Sequence, residues 1–322
     1  MYVLPAELRH ALAEELESHR EQDLAASAAE LTARYHRPFD RPALRSATDV
    51  AAYAAVRMPA TFAAVRFALA EAASAVPDFA PESQLDVGGG TGAAVWAAAD
   101  CWPSLREIAV LERDRSAAQL GRSLAAQAEH PAVRRAEWRQ AEVGSGPAGA
   151  PVDLVTLSYV LGELPEAVRE PLVRRLAEEA GMLVIVEPGS PDGYERVLAA
   201  RDVLIGLGLR VAAPCPHEGR CPLAEGDWCH FAARLPRDSL HRRLKAGSLG
   251  FEDEKFSYVA ATRAGAAPPE ARVLRHPAKR KGLVTLALCA GGGREERNVS
   301  KRDGALYRAA RDVEWGEAWP PM

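Results

Sequence analysis

Residues 85–92 read LDVGGGTG, and the spacing of the glycines there decides the fold. The alternating stretch 84–87 predicts a strand before the loop, and the alanine-rich stretch 93–99 predicts a helix after it. Gly88, Gly90 and Gly92 stand at alternate positions, so a ligand can lie against bare backbone at the mouth of a helix. Glu112 follows Gly92 by 20 residues, at the end of a second predicted strand, 107–111. Further strands are expected at 154–157 and 182–187, with a weaker one at 136–141 and helices at 116–129 and 166–180 between them. Alternating strands and helices predict a parallel sheet covered on both faces.

The glycine spacing is not the dinucleotide pattern G-x-G-x-x-G. It is similar to the D-x-G-x-G-x-G first motif of class I methyltransferases that bind S-adenosylmethionine, a Rossmann-like α/β fold. That resemblance places Asp86 near the amino-acid end of the cofactor, Gly88, Gly90 and Gly92 under it, and Glu112 on the ribose hydroxyls, as in other nucleotide-binding folds. Glu142, after the weak third strand, is the candidate for the adenine side. The catalytic signature of amino-methylating enzymes is missing, because the end of the fourth strand reads SYVLGE (158–163). Ser158, Tyr159 and Glu163 are left as substrate contacts, and Cys101 reads as a small buried hydrophobe.

Charge is divided unevenly along the 322 residues. Residues 1–200 carry 19 Lys and Arg against 29 Asp and Glu, whereas residues 201–311 carry 21 against 12. A basic half predicts a polyanionic partner such as RNA. No run of about 18 apolar residues is present, so no membrane partner is expected. Glu7, Glu14, Glu15 and Glu17 do not suit a presequence, and a cytoplasmic chain, monomeric when free, is expected. Three segments are read: a helical section at 1–80, a methyltransferase-like core at 81–211, and a cysteine-rich segment at 212–322 whose basic strands complete the sheet. The helical section is expected to break at YHRPFDRP (35–42) and again near Pro59, and GSGPAGAP (144–151) to form a surface loop.

Residues 214–231, PCPHEGRCPLAEGDWCHF, hold three of the five cysteines in a stretch too rich in Pro and Gly for a regular element. Cys215, Cys221 and Cys229 lack the close C-x-x-C spacing of common zinc sites, and the first two precede proline, as iron-sulfur ligands often do. Cys289 is the best fourth ligand by position; His217 and His230 are alternatives that favour zinc.

APCPHEGRCPL (213–223), DWCHF (227–231), RLPRDSLHRRLK (234–245), EDEKFSYVA (252–260), VEPGSPDG (186–193), SYVLGEL (158–164) and YAAVRMPATFAAV (53–65) together resemble the methyltransferase-like assembly factors of the small ribosomal subunit, found in mitochondria and bacteria. The resemblance implies a structural 4Fe-4S cluster on Cys215, Cys221, Cys229 and Cys289, S-adenosylmethionine in the glycine-loop pocket, and small-subunit rRNA as partner. Relatives often carry Ala where Gly89 stands. Arg275, Lys279, Arg280 and Lys281 form a basic turn suited to phosphates. Arg242, Arg243 and Lys245 are a second candidate RNA surface, with the acidic triad Glu252, Asp253 and Glu254 expected to pair with them. Two other functions stand beside assembly: active rRNA methylation, and a zinc-stabilised RNA-binding module with a vestigial pocket.

Overall fold

The structure, a computed structural model, describes residues 1–34, 44, 46–143, 150–223, 226–245 and 247–321. The expected break at 35–42 and most of the loop at 144–151 lie outside the described residues. The chain opens with helices α1 (Ala6–Glu17), α2 (Glu21–Arg34), α3 (Ala47–Val56) and α4 (Met58–Ala75). Strand and helix then alternate as β1 (Ser83–Val87), α5 (Ala93–Cys101), β2 (Glu107–Glu112), α6 (Arg115–Ala125), α7 (Pro131–Arg134) and β3 (Glu137–Gln140). The alternation continues through β4 (Val152–Ser158), α8 (Glu166–Glu179), β5 (Ala180–Pro188) and α9 (Pro191–Gly206). Strands β6 (Arg210–Ala213) and β7 (Phe231–Pro236) flank the cysteine loop, with α10 (Ser239–Leu244) and β8 (Phe251–Thr262) behind them. Last come β9 (Ala271–Val273), β10 (Ala278–Arg280), β11 (Leu283–Ala290), β12 (Gly293–Ser300), α11 (Ala305–Asp312) and β13 (Ala318–Trp319).

Among the described residues, the main sheet runs β3-β2-β1-β4-β5-β8-β6, with β7 also on β8. Strands β1 to β5 pair in parallel and β8 runs antiparallel to β5. A parallel sheet with an antiparallel strand beside β5 is the class I methyltransferase arrangement the glycine loop predicted. Strand periodicity distributes its core: Leu154, Met182, Val184 and Val186 pack with α4 and α5, while Val155, Leu157, Leu183 and Ile185 pack with α8 and α9. Truncating a fully buried residue such as Leu157 to Ala costs about 2–5 kcal/mol.

The first eighty residues are not a separate cap. Pro59 in the first turn of α4 starts a new helix after α3, as its fixed φ allows. That helix buries Phe62, Val65, Leu69 and six alanines, and its Phe67 meets Phe231, Phe256 and Tyr258, so α4 is one of the layers covering the sheet.

The C-terminal strands divide. Among the described residues β7 and β8 join the main sheet; β9, β10, β11, β12 and β13 form a second, antiparallel sheet with its own core of Val273, Leu286, Leu288, Val299 and Trp319. The expectation that they all complete the main sheet is corrected on that point. Their alternation, with Leu286 and Leu288 buried and Thr285 and Ala287 less so, suits a sheet with one wet face.

The cysteine loop is placed by strand pairing. Phe256 of β8 pairs with Pro188 of β5 and with Phe231 of β7, so β7 lies on the edge of β8 away from β5. That is the edge β6 uses, where Ala213 faces Ala260. The chain therefore leaves one edge at Ala213, makes its cysteine-bearing excursion, and returns to the same edge at Phe231.

Candidate functional site

The glycine loop is built by backbone hydrogen bonds. The amide of Gly88 donates to the Leu111 carbonyl at 2.8 Å, and the amide of Gly90 donates to Glu112 Oε2 at 2.8 Å. Glu112 Oε1 accepts from the Asp114 amide at 2.7 Å, and the Trp138 indole donates to the Gly90 carbonyl at 3.2 Å. Glu112, expected on a ribose, thus also holds the loop shut. Gly88 has φ +68°, and a Cβ there would meet Val160 Cγ2 at 2.5 Å. At Gly89 a Cβ would fall 2.4 Å from Asp86 Oδ2, so alanine does not fit this loop as it stands.

A pocket opens beside the loop, lined by Asp86, Gly88, Gly89, Thr91 and Ser158 and by Tyr53, Met58 and Thr61 from α3 and α4. Asp86 is buried and accepts a hydrogen bond from the Thr156 hydroxyl at 2.7 Å. Burial pushes its pKa up to about 7; Thr156 lowers it and Glu112 raises it. Asp86 Oδ2 and Ser158 Oγ on the pocket wall are buried and have no hydrogen-bond partner, so the pocket presents polar atoms to a polar ligand. Gly90, Gly92 and Glu112 sit in the loop behind it, and Glu142 is exposed beyond β3, away from these lining residues.

Tyr159, at the end of β4, has φ +61°, an uncommon backbone for a bulky residue. Its phenol donates to Glu254 Oε1 at 3.0 Å, and Arg57 donates to both oxygens of the same carboxylate at 3.0 and 3.3 Å. Burial first, then the Glu254 charge, raises the phenol well above its ordinary value. A neutral phenol spent on a carboxylate is poorly placed to act as a base.

The four cysteines converge. Cys215, Cys221, Cys229 and Cys289 line one cavity between α9, the loop and β11, together with Tyr194, Arg201, His217 and Arg272. Burial and then the Cys215, Cys221 and Cys289 sulfurs push the Cys229 thiol well above its usual range; burial, Cys215 and Cys221 push Cys289 up to about 12. The Tyr194 hydroxyl lies 3.1 Å from Cys221 Sγ, and His217 Nε2 lies 3.5 Å from Cys289 Sγ. Among the described residues no three His, Cys, Asp or Glu side chains are grouped tightly enough to hold a metal ion. The thiols ring a space instead of meeting at a point. Sequence reasoning missed Tyr194, Arg201 and Arg272; the first two share a helical stripe of α9, residues 194, 197, 198 and 201, that faces the cavity.

The basic residues separate into two groups. Arg275 reaches back to Asp227 of the cysteine loop and donates to the Trp228 carbonyl at 3.3 Å, so it is tied into that loop. Lys279, Arg280 and Lys281 are exposed at the β10–β11 hairpin. Arg243 pairs with Glu21 at 2.6 and 3.0 Å, Lys245 with Glu252 at 2.5 Å, and Arg242 is exposed. The acidic triad therefore takes only Lys245 of the expected three. Its remaining cations are Arg237 on Glu252, Arg234 on Asp253 and Arg57 on Glu254. Although burial alone would raise Glu252, His241, Lys245 and Arg237 hold it well below the usual carboxylate range.

A family described as mitochondrial small ribosomal subunit Rsm22 matches residues 47–320. The human ribosome assembly protein METTL17, mitochondrial, is 32% identical over 292 residues, covering 84% of this chain and 62% of that protein. A mitochondrial Rsm22-cox11 tandem protein of Schizosaccharomyces pombe is 25% identical, covering 88% of this chain and 45% of that one. The chain thus spans about half to three-fifths of the length of these relatives. Among solved structures, N-methyltransferase NodS from Bradyrhizobium japonicum with S-adenosyl-L-homocysteine aligns at 11% identity and TM-score 0.43, over 75% of this chain and 98% of that chain. The mitochondrial relatives overturn the expected cytoplasmic localisation. The acidic residues behind that expectation lie on α1, whose Leu8, Ala11 and Leu12 pack in the core; they report a solvated helix face and not an address. No helix among the described residues is long and apolar enough to cross a membrane.

Proposed function

Because the chain belongs to the Rsm22 family of the mitochondrial small ribosomal subunit, we propose that it acts in small-subunit assembly as an rRNA-binding protein and not through methyl transfer. The match across residues 47–320 supports the small-subunit connection, and the likeness to the ribosome assembly protein METTL17 supports the assembly role. The exposed hairpin residues Lys279, Arg280 and Lys281 offer phosphate contacts, with Arg242 as a further one. Purified chain mixed with immature and mature small-subunit particles should sediment with the immature ones; equal or absent binding rejects the role.

S-adenosylmethionine suits the glycine-loop pocket. Asp86 would face the ammonium of its amino-acid end, Gly88, Gly90 and Gly92 allow close approach, and Glu112 is at the loop's edge for the ribose. The arrangement at the end of β4 argues against turnover, since the Tyr159 phenol is held by Glu254 and the neighbouring Ser158 has no base bonded to it. Labelled cofactor with immature particles should transfer no methyl group to rRNA; stoichiometric incorporation would establish the methyltransferase reading instead.

A 4Fe-4S cluster held by Cys215, Cys221, Cys229 and Cys289 suits the second site. All four thiols line one cavity, and Cys215 and Cys221 each precede proline, as iron-sulfur ligands often do. When bound, the cluster supplies four cross-links that tie the loop to β11 of the second sheet. Protein purified without oxygen should be brown with about four irons per chain; a colourless product with one zinc would replace the cluster by zinc.

A further inference from the structure

Arg201 is a buried charge with no buried carboxylate beside it among the described residues, and its guanidinium meets the Cys215 thiol. It is 3% exposed and projects from α9 into the wall of the cysteine cavity. Two of its hydrogen bonds go to backbone carbonyls of the loop, His217 at 2.9 Å and Gly219 at 2.8 Å. Among the described residues its carboxylate contact is its neighbour Asp202, at 3.0 Å, whose side chain is 66% exposed and therefore well screened by water. The buried Nε has no partner. Burying a guanidinium this way is costly unless an anion faces it. The second guanidinium on the wall, Arg272, is arranged differently: Glu71 and the carbonyls of Pro214 and Gly316 take its donors. The cavity wall is otherwise thiol, aromatic, proline and aliphatic, with His217, Ser257 and the hydroxyls of Tyr194 and Tyr258 as its other polar groups.

We infer that Arg201 is a positioning residue for the cysteine site: its charge compensates the net negative charge of the metal–thiolate group filling the cavity, and its fork holds the loop between Cys215 and Cys221 in the ligating shape. Four thiolates carry more negative charge than an iron-sulfur or zinc core offsets, so the loaded site is anionic in either case. The free Nε and the cavity side of the guanidinium meet that anion, while the two carbonyl bonds fix residues 217–219. Arg201 and both flanking cysteines then form one unit, with α9 as the rigid base that positions the loop. The inference rests on the proposed metal–thiolate site, and the test separates the two.

Full-length chain is purified without oxygen as wild type, Arg201→Met and Arg201→Lys. Iron, sulfide and zinc per chain are measured first, then the rate of metal release to a chelator and, for an iron-sulfur product, the reduction potential. Wild-type chain without metal defeats the metal-site reading itself. With wild type loaded, R201M is expected to release metal at least about tenfold faster, the size of effect usual for a residue that supports metal ligands. Its cluster potential is expected to fall, because a lost positive charge favours the oxidised form. R201K, which keeps the charge but not the fork, is expected to keep a near-wild-type potential while still releasing metal faster. That split is one a merely structural residue does not produce. A soluble R201M with wild-type release overturns the inference. If R201M is insoluble, R201K decides: wild-type release in that variant overturns the inference too.

Discussion

The glycine loop and the cysteine loop each border a pocket, yet they are held by different means. Residues 88–92 are held by the neighbouring strands of their own sheet: Gly88, Gly90 and Gly92 take the left-handed backbone, amides bond to Leu111 and Glu112 of β2, and Trp138 of β3 braces the Gly90 carbonyl. Residues 214–230 contain no regular element among those described, and their named ties are to side chains elsewhere: Arg201, Arg272, Arg275 and Tyr194. A loop that satisfies its own backbone folds before its ligand arrives. A loop that brings its own three thiols to a fourth on the second sheet needs the ligand as part of its fold.

The strongest test of that contrast is Cys221→Ser. Losing a ligand present at about a thousand times its Kd removes roughly 4 kcal/mol of stability, so the variant should be metal-poor and melt well below wild type by calorimetry. Stripping S-adenosylmethionine by dialysis should change melting far less. An equal drop from both treatments erases the distinction between the loops.

Next in size is the joint replacement of Lys279, Arg280 and Lys281 by Ala. The logarithm of RNA affinity against that of salt should lose about 2–3 in slope, near 0.7–0.9 for each phosphate contact, with metal content unchanged. An unaltered slope moves the RNA surface elsewhere.

On the other loop, Gly88→Ala places a methyl 2.5 Å from Val160 Cγ2 at a residue with φ +68°. The left-handed backbone alone costs about 1–2 kcal/mol, so melting should fall modestly while calorimetric cofactor binding disappears; retained binding contradicts the pocket.

Asp86 gives a pH signature. Its folded pKa, about 7, lies above the ordinary 3.8, so the stability it contributes is present below about pH 4 and is lost as pH rises through 7. Cofactor binding runs the other way, because the ammonium needs the carboxylate. Affinity for S-adenosylmethionine should rise up to about pH 7 and level off, and Asp86→Asn should flatten the profile and weaken binding about tenfold at pH 8, an order of magnitude for one charged hydrogen bond. A pH-independent wild type refutes this role. The smallest effect belongs to Arg243→Ala: its pair with Glu21 is exposed, so neither melting nor RNA binding should change measurably.

Much of the core was legible because periodicity carries it. The strands at 84–87, 107–111, 154–157 and 182–187 and the weak one near 137 all stand within a residue or two of their expected limits, since both faces of each central strand are buried. The helical section is parted at Ser18–Arg20 into α1 and α2, and the basic stretch 236–249 is helical only over Ser239–Leu244, with Pro236 taken by β7. Strands β6, β7 and β12 were not expected. They are short, or carry charges such as Arg294, Glu295, Glu296 and Arg297 on an edge, where local pattern is weak and the partner strand decides.

The same division runs through the two sites. Order along the chain was enough to assign the α/β class, the loop of alternate glycines with its acid twenty residues on, and the three loop cysteines, because these follow from local spacing; Cys289 as the fourth came from the family resemblance. Only the tertiary structure brought Cys289 to the cavity of Cys215, Cys221 and Cys229, turned Arg275 inward while leaving Lys279 to Lys281 exposed, and buried Arg201 against the loop. Those outcomes depend on which strands share an edge and which charges find partners across long separations, and such pairings are set by packing and desolvation, not by neighbours in sequence.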